Sequence, residues 1–394
     1  MARISRQHRR WRLAHRHRLI AAERTDDVGK IANDLIALHS SDPATVYLSA
    51  AARMINPVLE SVDHALYETR SLVRHHAMRR TLWVMAPDIA RLAHGASTAK
   101  VARAERKRTE AAFATTADIA DPAAWLDDAL AKIITLLDAQ GELSTRDIGK
   151  ALPELAVPVT FGVNTKNPAA LNAHTKVLQG AGFDGALVRG RPTGNWISAE
   201  YQWNPTEHWL GQSIAGLEER PAAAELLHRW LLRFGPATAA DIRWWFGWTA
   251  GLATKALADS DAVEVALDDD QTGFVALGDT EAAPDPGPWV RLLPGLDPTA
   301  MGWKERDWYL DPALVPRLFD RFGNAGPTVW VDGQIVGGWI QRPTGEIAVE
   351  LATDLGAEHQ RLLNEAIEQL QHVLGDVVVR PRFPAPVQKA LFAS

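Results

Sequence analysis

Apolar positions recur with helical spacing at Val28, Ile31, Leu35, Ile36 and Leu38, after a Thr25-Asp26-Asp27 stretch suited to cap a helix. The pattern predicts a helix that stops near His39. After the break at Ser40-Ser41-Asp42-Pro43, residues 44–54 resume a helix, with Asp42 as cap and Pro43 in the first turn. Residues 72–76 and 81–85 then read as paired strands. The order helix, helix, hairpin returns twice, each time announced by one frame. Gly141-Glu142-Leu143-Ser144-Thr145-Arg146-Asp147-Ile148 and Gly235-Pro236-Ala237-Thr238-Ala239-Ala240-Asp241-Ile242 share G-x-x-[ST]-x-x-D-I. In both, a Ser or Thr is placed to cap a helix and an acid three residues on reaches back toward the cap. β-Rich pairs follow at 185–189 with 195–203 and at 262–267 with 273–277. This order describes a winged helix, a unit most often used to hold nucleic acid.

The proline-rich stretch 281–288 reads as a linker. Beyond it, alternation over 289–293, 328–331, 335–340 and 347–351 predicts strands, with Asp332-Gly333 as a hairpin turn. The expected fold class is α+β. Three tandem winged-helix units (1–96, 121–210 and 216–282) and a helical connector (97–120) precede a β-rich domain (289–394).

Composition narrows the function. The 394 residues are 46% hydrophobic and 23% charged, an ordinary globular balance. Without cysteine there is no disulfide, thiolate zinc site or iron–sulfur cluster, and no cofactor is expected. No apolar run reaches bilayer length and the Arg-rich start lacks a signal-peptide core, so no membrane partner and a cytoplasmic location are expected.

The net charge of −6 divides into +9 over residues 1–110 and −15 over the rest. Arg3, Arg6, Arg9, Arg10, Arg12, Arg16 and Arg18 occur in the first twenty residues without an acid among them, and Lys100, Arg103 and Lys107 fit one helix face. A phosphate backbone is one partner for this charge; a solvated face or pairing with the acidic stretch 259–285 is the other reading. Arg189 and Arg191 suit a basic wing, since no Gly-Lys-Ser/Thr follows them to make a phosphate loop. His75-His76 and His15-x-His17 lack metal-site spacing and read as strand and DNA-facing polar residues. Trp244-Trp245-x-x-Trp248 reads as core, and Asp297 with Arg306 as a buried structural pair.

Leu38-His39-Ser40-Ser41-Asp42-Pro43, with Ala44 and residues 50–53, resembles the L-Q-A-Q-D-P segment of the winged-helix DNA glycosylases of the AlkZ and YcaQ type. Met78-Arg79-Arg80-Thr81-Leu82-Trp83 is similar to that family's M-R-G-T-L-H. Further ordered matches are Gly235-Pro236-Ala237-Thr238 with Asp241 and Trp245, Leu292-Leu293-Pro294-Gly295-Leu296-Asp297-Pro298 with Gly302 and Arg306, and Val331-Asp332-Gly333 through Gly337-Gly338-Trp339. The resemblance implies a C-shaped array of three winged helices with a barrel-like domain, clasping double-stranded DNA. It also implies hydrolysis of the N-glycosidic bond of alkylated, bulky or crosslinked purines. A cationic N7-alkylpurine leaves readily, so the enzyme need only stabilise an oxocarbenium-like sugar and place a water. A monomer is expected, since three linked units already supply the binding surface.

The chain departs from the family where its two glutamines stand, carrying His39 and Ser41 there with Asp42 directly after. Imidazole can take a proton from water, Ser41 can donate or accept, and Asp42 could fix the His39 tautomer. The competing reading makes His39 a helix-end residue, Ser41 a turn residue and Asp42 a cap, which leaves a DNA-binding protein without catalysis. On the glycosylase reading, Arg79, Arg80, Arg189, Arg191 and the N-terminal arginines contact phosphates.

Overall fold

Local signals set the helix starts. Asp27 accepts from the Lys30 amide to open helix Val28–Asp34, and Asp42 accepts from the Ala44 amide to open helix Pro43–Ala51. Ser144 and Thr238 cap Thr145–Ala151 and Ala239–Phe246, and Thr238 with Asp241 completes a reciprocal capping box.

The helix expected to run to His39 ends at Asp34. Ile36 takes a φ of +61°, which turns the chain out of the helix, and Leu38–His39 becomes a strand paired with Val84 and Trp83. Residues 35–38 are all buried, and a short buried apolar run suits a strand as well as a helix.

The computed structural model describes residues 1–116, 119–163 and 168–393. Three segments share one topology in which a short first strand lies beside the last strand of a hairpin. In the first segment the sheet runs Leu38–His39, Leu82–Met85, Val73–His76. In the second it runs Leu143–Ser144, Tyr201–Pro205, Leu187–Pro192, with an additional hairpin, Pro158–Phe161 and Ala169–Asn172, before helix Ala173–Asp184. In the third a bridge from Ala237 to Phe274 stands for the first strand beside Thr272–Val275 and Val263–Ala266. Helix Ala99–Thr116 joins the first two segments and packs on Ala173–Asp184.

The first and third segments share a core. An aromatic chain passes from Trp83 through Trp245 and Trp230 to Phe234, in contact at 5.2–5.7 Å between centroids. The second segment has its own core, around Phe113, Ile133, Leu178 and Trp203. Trp245 and Trp248 are buried as expected.

The C-terminal sheet has four antiparallel strands in the order Val290–Leu293, Thr328–Val331, Gln334–Gln341, Ile347–Leu351. Its outer strands do not pair, so the barrel-like expectation is corrected to an open sheet. Four strands are too few to close around a packed interior. Helix Ala357–Leu374 packs on the sheet instead and completes that core. Asp332 and Gly333, both at positive φ, make the hairpin turn.

One buried ion pair ties the first segment to the C-terminal part. Arg53 donates to both Asp297 oxygens at 2.9 and 2.8 Å, and Ser49 and Thr299 complete the site. This corrects the expected Asp297–Arg306 pair, since Arg306 lies over the rings of Phe319 and Trp244.

Candidate active site and nucleic-acid interface

The segment 39–42 leaves the strand at His39 and enters the capped helix at Pro43, so both ends are held. Ser40 donates its amide to the Leu82 carbonyl at 2.8 Å. His39 is buried, its ring 4.6 Å from that of Trp83. Burial, aided by the charge of Arg79, pushes the imidazole down to about 3. At neutral pH the ring is therefore neutral. Its Nδ1 faces the Ser41 amide at 3.3 Å and accepts, which assigns the proton to Nε2. The ring can orient a group by donating, but it is a weak base.

Asp42 does not contact His39, so the expected fixing of the tautomer is corrected. One Asp42 oxygen caps Ala44 and the other accepts from the Arg382 amide at 2.9 Å, which joins this turn to the C-terminal part. Burial raises the Asp42 carboxyl against those two hydrogen bonds. Ser41 is half-buried, and its carbonyl accepts from Arg382 at 3.3 Å.

Beneath the segment lies Arg74, which sequence reasoning passed over. It is buried, donates to Ser40 Oγ at 2.9 Å and to Tyr67 Oη at 2.7 Å, and lies 4.3 Å from the Tyr201 ring. Its position inside a buried strand carried no signal of this role.

Arg9, Arg10, Arg12, Arg16 and Arg18 turn inward, which corrects their expected place on phosphate, while Arg3 and Arg6 stay at the surface. Ser5 caps helix Arg6–Arg16, and the helix lies against the third segment. Arg12 is buried against Asp279 at 3.0 Å, and Arg16 meets the same carboxylate at 2.5 Å. Arg18 pairs with buried Asp34 at 2.5 Å. Arg9 lies over Trp308 and donates to the Pro236 carbonyl, while Arg10 donates to the Trp308 carbonyl at 2.6 Å. Asp268 takes the Arg6 amide at 2.7 Å and lies 3.7 Å from exposed Arg3. Pairing with the acidic stretch 259–285, the alternative left open by the sequence, forms for Arg3, Arg12 and Arg16, while Arg9, Arg10 and Arg18 find partners elsewhere.

The other expected contacts divide. Arg79, at φ +56°, stacks on Trp244 at 4.3 Å; burial and Arg306 lower it to about 10. Arg80 remains half-exposed and pairs with Glu105 at 2.6 Å. Arg191 pairs with Glu68 and lies 3.9 Å from Asp63, bridging the second segment to the first. Arg189 lies 4.8 Å over Trp203. His17, His75 and His76 are buried rather than facing outward. Lys100, Arg103 and Lys107 are exposed on helix Ala99–Thr116, with no ion pair among the described residues.

Topology and site together define an α/β architecture of three similar segments with a polar turn at the seam between the first segment and the C-terminal part. Among known families, the model described as DNA glycosylase AlkZ-like matches residues 32–373. The chain belongs to the AlkZ-like DNA glycosylase family. Its fold is similar to that of Streptomyces sahachiroi DNA glycosylase AlkZ, with a TM-score of 0.70 and 20% identity over 96% of this chain and 98% of that one. No curated protein matches. Among the described residues, no helix is long and apolar enough to cross a membrane, and no group of three or more His, Asp or Glu side chains is placed to hold a metal.

Proposed function

We propose that this protein is a monofunctional DNA glycosylase that releases alkylated purines from double-stranded DNA, with its three similar segments acting as winged-helix units around the duplex. The observation that carries this reading is coverage: the family match spans 32–373 and so runs through the segment 39–42 itself. The chemistry asks little of that segment. An N7-alkylpurine is already a cationic leaving group, so a neutral His39 donating through Nε2 and a half-buried Ser41 are enough to hold a water at the sugar. Asp42 serves by fixing the turn. The cations on phosphate are Arg80, Lys100, Arg103 and Lys107 in place of the N-terminal arm, in a cytoplasmic monomer.

The burial of His39 against Trp83 favours a second reading, in which the family architecture binds DNA without cleaving a glycosidic bond. Base release from duplex DNA carrying N7-alkylguanine separates the two. The glycosylase reading expects release by the wild type, loss in His39→Leu, and retention in His39→Gln, where an amide keeps the donor; all three bind duplex alike. The rate should also be flat from about pH 5 to 8, because the imidazole titrates near 3. Salt-sensitive binding with no release from small or bulky adducts would establish the second reading.

A further inference from the structure

A cleft of about 660 Å³ opens on the second segment, between helix Thr145–Ala151, helix Ala173–Asp184 and the hairpin Leu187–Pro192 with Tyr201–Pro205. Its floor is aromatic. The Arg189 guanidinium lies 4.8 Å over Trp203 and 5.7 Å from Tyr201. Among the described residues the Arg189 side chain makes no ion pair and no hydrogen bond, and its Nε is buried without a partner. The Tyr201 hydroxyl is likewise buried and unpartnered. A half-buried guanidinium whose Nε is shut off from water, with no anion beside it, carries an unmet desolvation cost that an arriving oxyanion would relieve.

The rim supplies more donors than acceptors. Arg146 has no ion pair among the described residues, and Thr175 and Gln179 face the cleft from the longer helix. The two carboxylates present are already engaged: Asp147 by Ser144 and Lys150, and Glu200 by Thr193. A tetrahedral oxyanion therefore fits this lining better than a cation or an apolar ligand.

A polymer fits better than a free anion, because cations continue beyond the cleft. Lys176, one residue from Thr175, donates to Gln179 at 2.8 Å and lies within electrostatic reach of Arg80 and Arg108, two arginines that share the single carboxylate of Glu105 and so leave a net positive charge there. These lead along helix Ala99–Thr116 toward the first segment.

The geometry points to this cleft as the seat of a backbone phosphodiester of bound duplex DNA, gripped by Arg189 from the aromatic floor and by Arg146 and Lys150 from the rim. The inference rests on the DNA-binding reading above and adds where the second segment engages the strand. Phosphate contacts position a protein without reading sequence.

A salt titration of duplex binding by the full chain tests it. Arg146→Gln with Lys150→Gln alters only the rim and should fold normally; Arg189→Gln and Arg189→Lys probe the floor. Each phosphate no longer neutralised should lower the log–log salt slope by about one, equally on any sequence. Arg189→Lys should keep the slope yet bind several-fold more weakly, since an ammonium cannot replace the guanidinium fork. Arg220→Gln, whose arginine pairs with Asp259 in the third segment, is the control and should change neither. A wild type that binds duplex while the rim and floor variants keep its slope would overturn this inference alone. A wild type that binds no duplex would overturn the DNA-binding reading with it. Thermal stabilisation by inorganic phosphate or a deoxynucleoside monophosphate, lost in Arg189→Gln while the duplex slope is unchanged, would mark a free-anion site and overturn it too.

Discussion

The arginine-rich arm of residues 3–18 and the cations Lys100, Arg103 and Lys107 of helix Ala99–Thr116 look alike in sequence and end in opposite positions. Arg12, Arg16 and Arg18 are held by Asp279 and Asp34, so the arm's charge is spent inside the protein. Lys100, Arg103 and Lys107 stand on one exposed face without an ion pair among the described residues. The difference lies in what each helix packs against. The arm docks on a segment rich in carboxylates and carbonyl oxygens, where a guanidinium satisfies several acceptors at once. The connecting helix turns its cationic face to solvent. Cation density along a chain therefore measures supply, while long-range partners decide how much remains for a ligand.

The comparison predicts that damage to the arm's seat costs stability and leaves DNA affinity alone, and that damage to the helix does the reverse. The largest effect is expected at Asp297, below the end of the arm, where Arg53 also donates to the His17 carbonyl at 2.9 Å. Asp297→Ala strands a fully buried guanidinium and should cost ~3–5 kcal/mol in denaturant unfolding, with the salt slope for duplex unchanged. A variant as stable as the wild type would break the comparison at its strongest point.

Next in size is acid sensitivity. Burial pushes His17, His39 and His75 to about 3 and His94 to about 4. In the unfolded chain each binds a proton near pH ~6.5. Between those values the unfolded state holds more protons, so stability is complete above the unfolded pKa and is lost as pH falls below it. Each histidine contributes about 1.4 kcal/mol per pH unit in that window. Denaturant unfolding at pH 7, 6 and 5 should give steadily lower midpoints. His17 belongs to the arm, and His75 and His94 approach each other at 5.8 Å at the seam of the first two segments. Replacing His17 or His75 with an apolar residue should therefore flatten the profile in separate shares. Equal stability at pH 7 and 5 would mean that these rings are not held neutral.

Helix starts were legible in the sequence because a cap acts within three residues, as Asp27, Ser144 and Thr238 do. The strand at Leu38–His39 was not, since its partners Val84 and Trp83 lie far along the chain and a buried apolar run carries no period of its own. The site was legible as a position and illegible as an environment. His39 was singled out, yet the Trp83 ring that makes it a poor base depends on the sheet. The fate of the arm was least legible: Arg12 finds its carboxylate 267 positions away, and only the alternative of acidic pairing anticipated it.

On the helix side, Lys100→Gln with Arg103→Gln and Lys107→Gln should lower the salt slope for duplex by up to about three, one for each phosphate that goes without its cation. Stability should shift by no more than ~0.5 kcal/mol, as expected for exposed residues without partners. An unchanged slope would move the duplex off this face. A stability loss matching Asp297→Ala would erase the distinction between the two regions.

The smallest effect sharpens the comparison within the arm. Ile4 and Arg3 are neighbours on a short extended stretch that pairs with Ala266, but Ile4 packs with Val265, Leu267 and Val275 while the Arg3 side chain is 65% exposed. Ile4→Ala should cost ~2–4 kcal/mol by emptying that small core. Arg3→Gln gives up only a 3.7 Å surface approach to Asp268, and such exposed pairs contribute ~0–1 kcal/mol. Its unfolding midpoint and its duplex salt slope should therefore both match the wild type. A slope lower by one in Arg3→Gln alone would show that the arm keeps one free cation for DNA at its tip, and the boundary between spent and available charge would then fall between Arg3 and Arg9 rather than between the two helices.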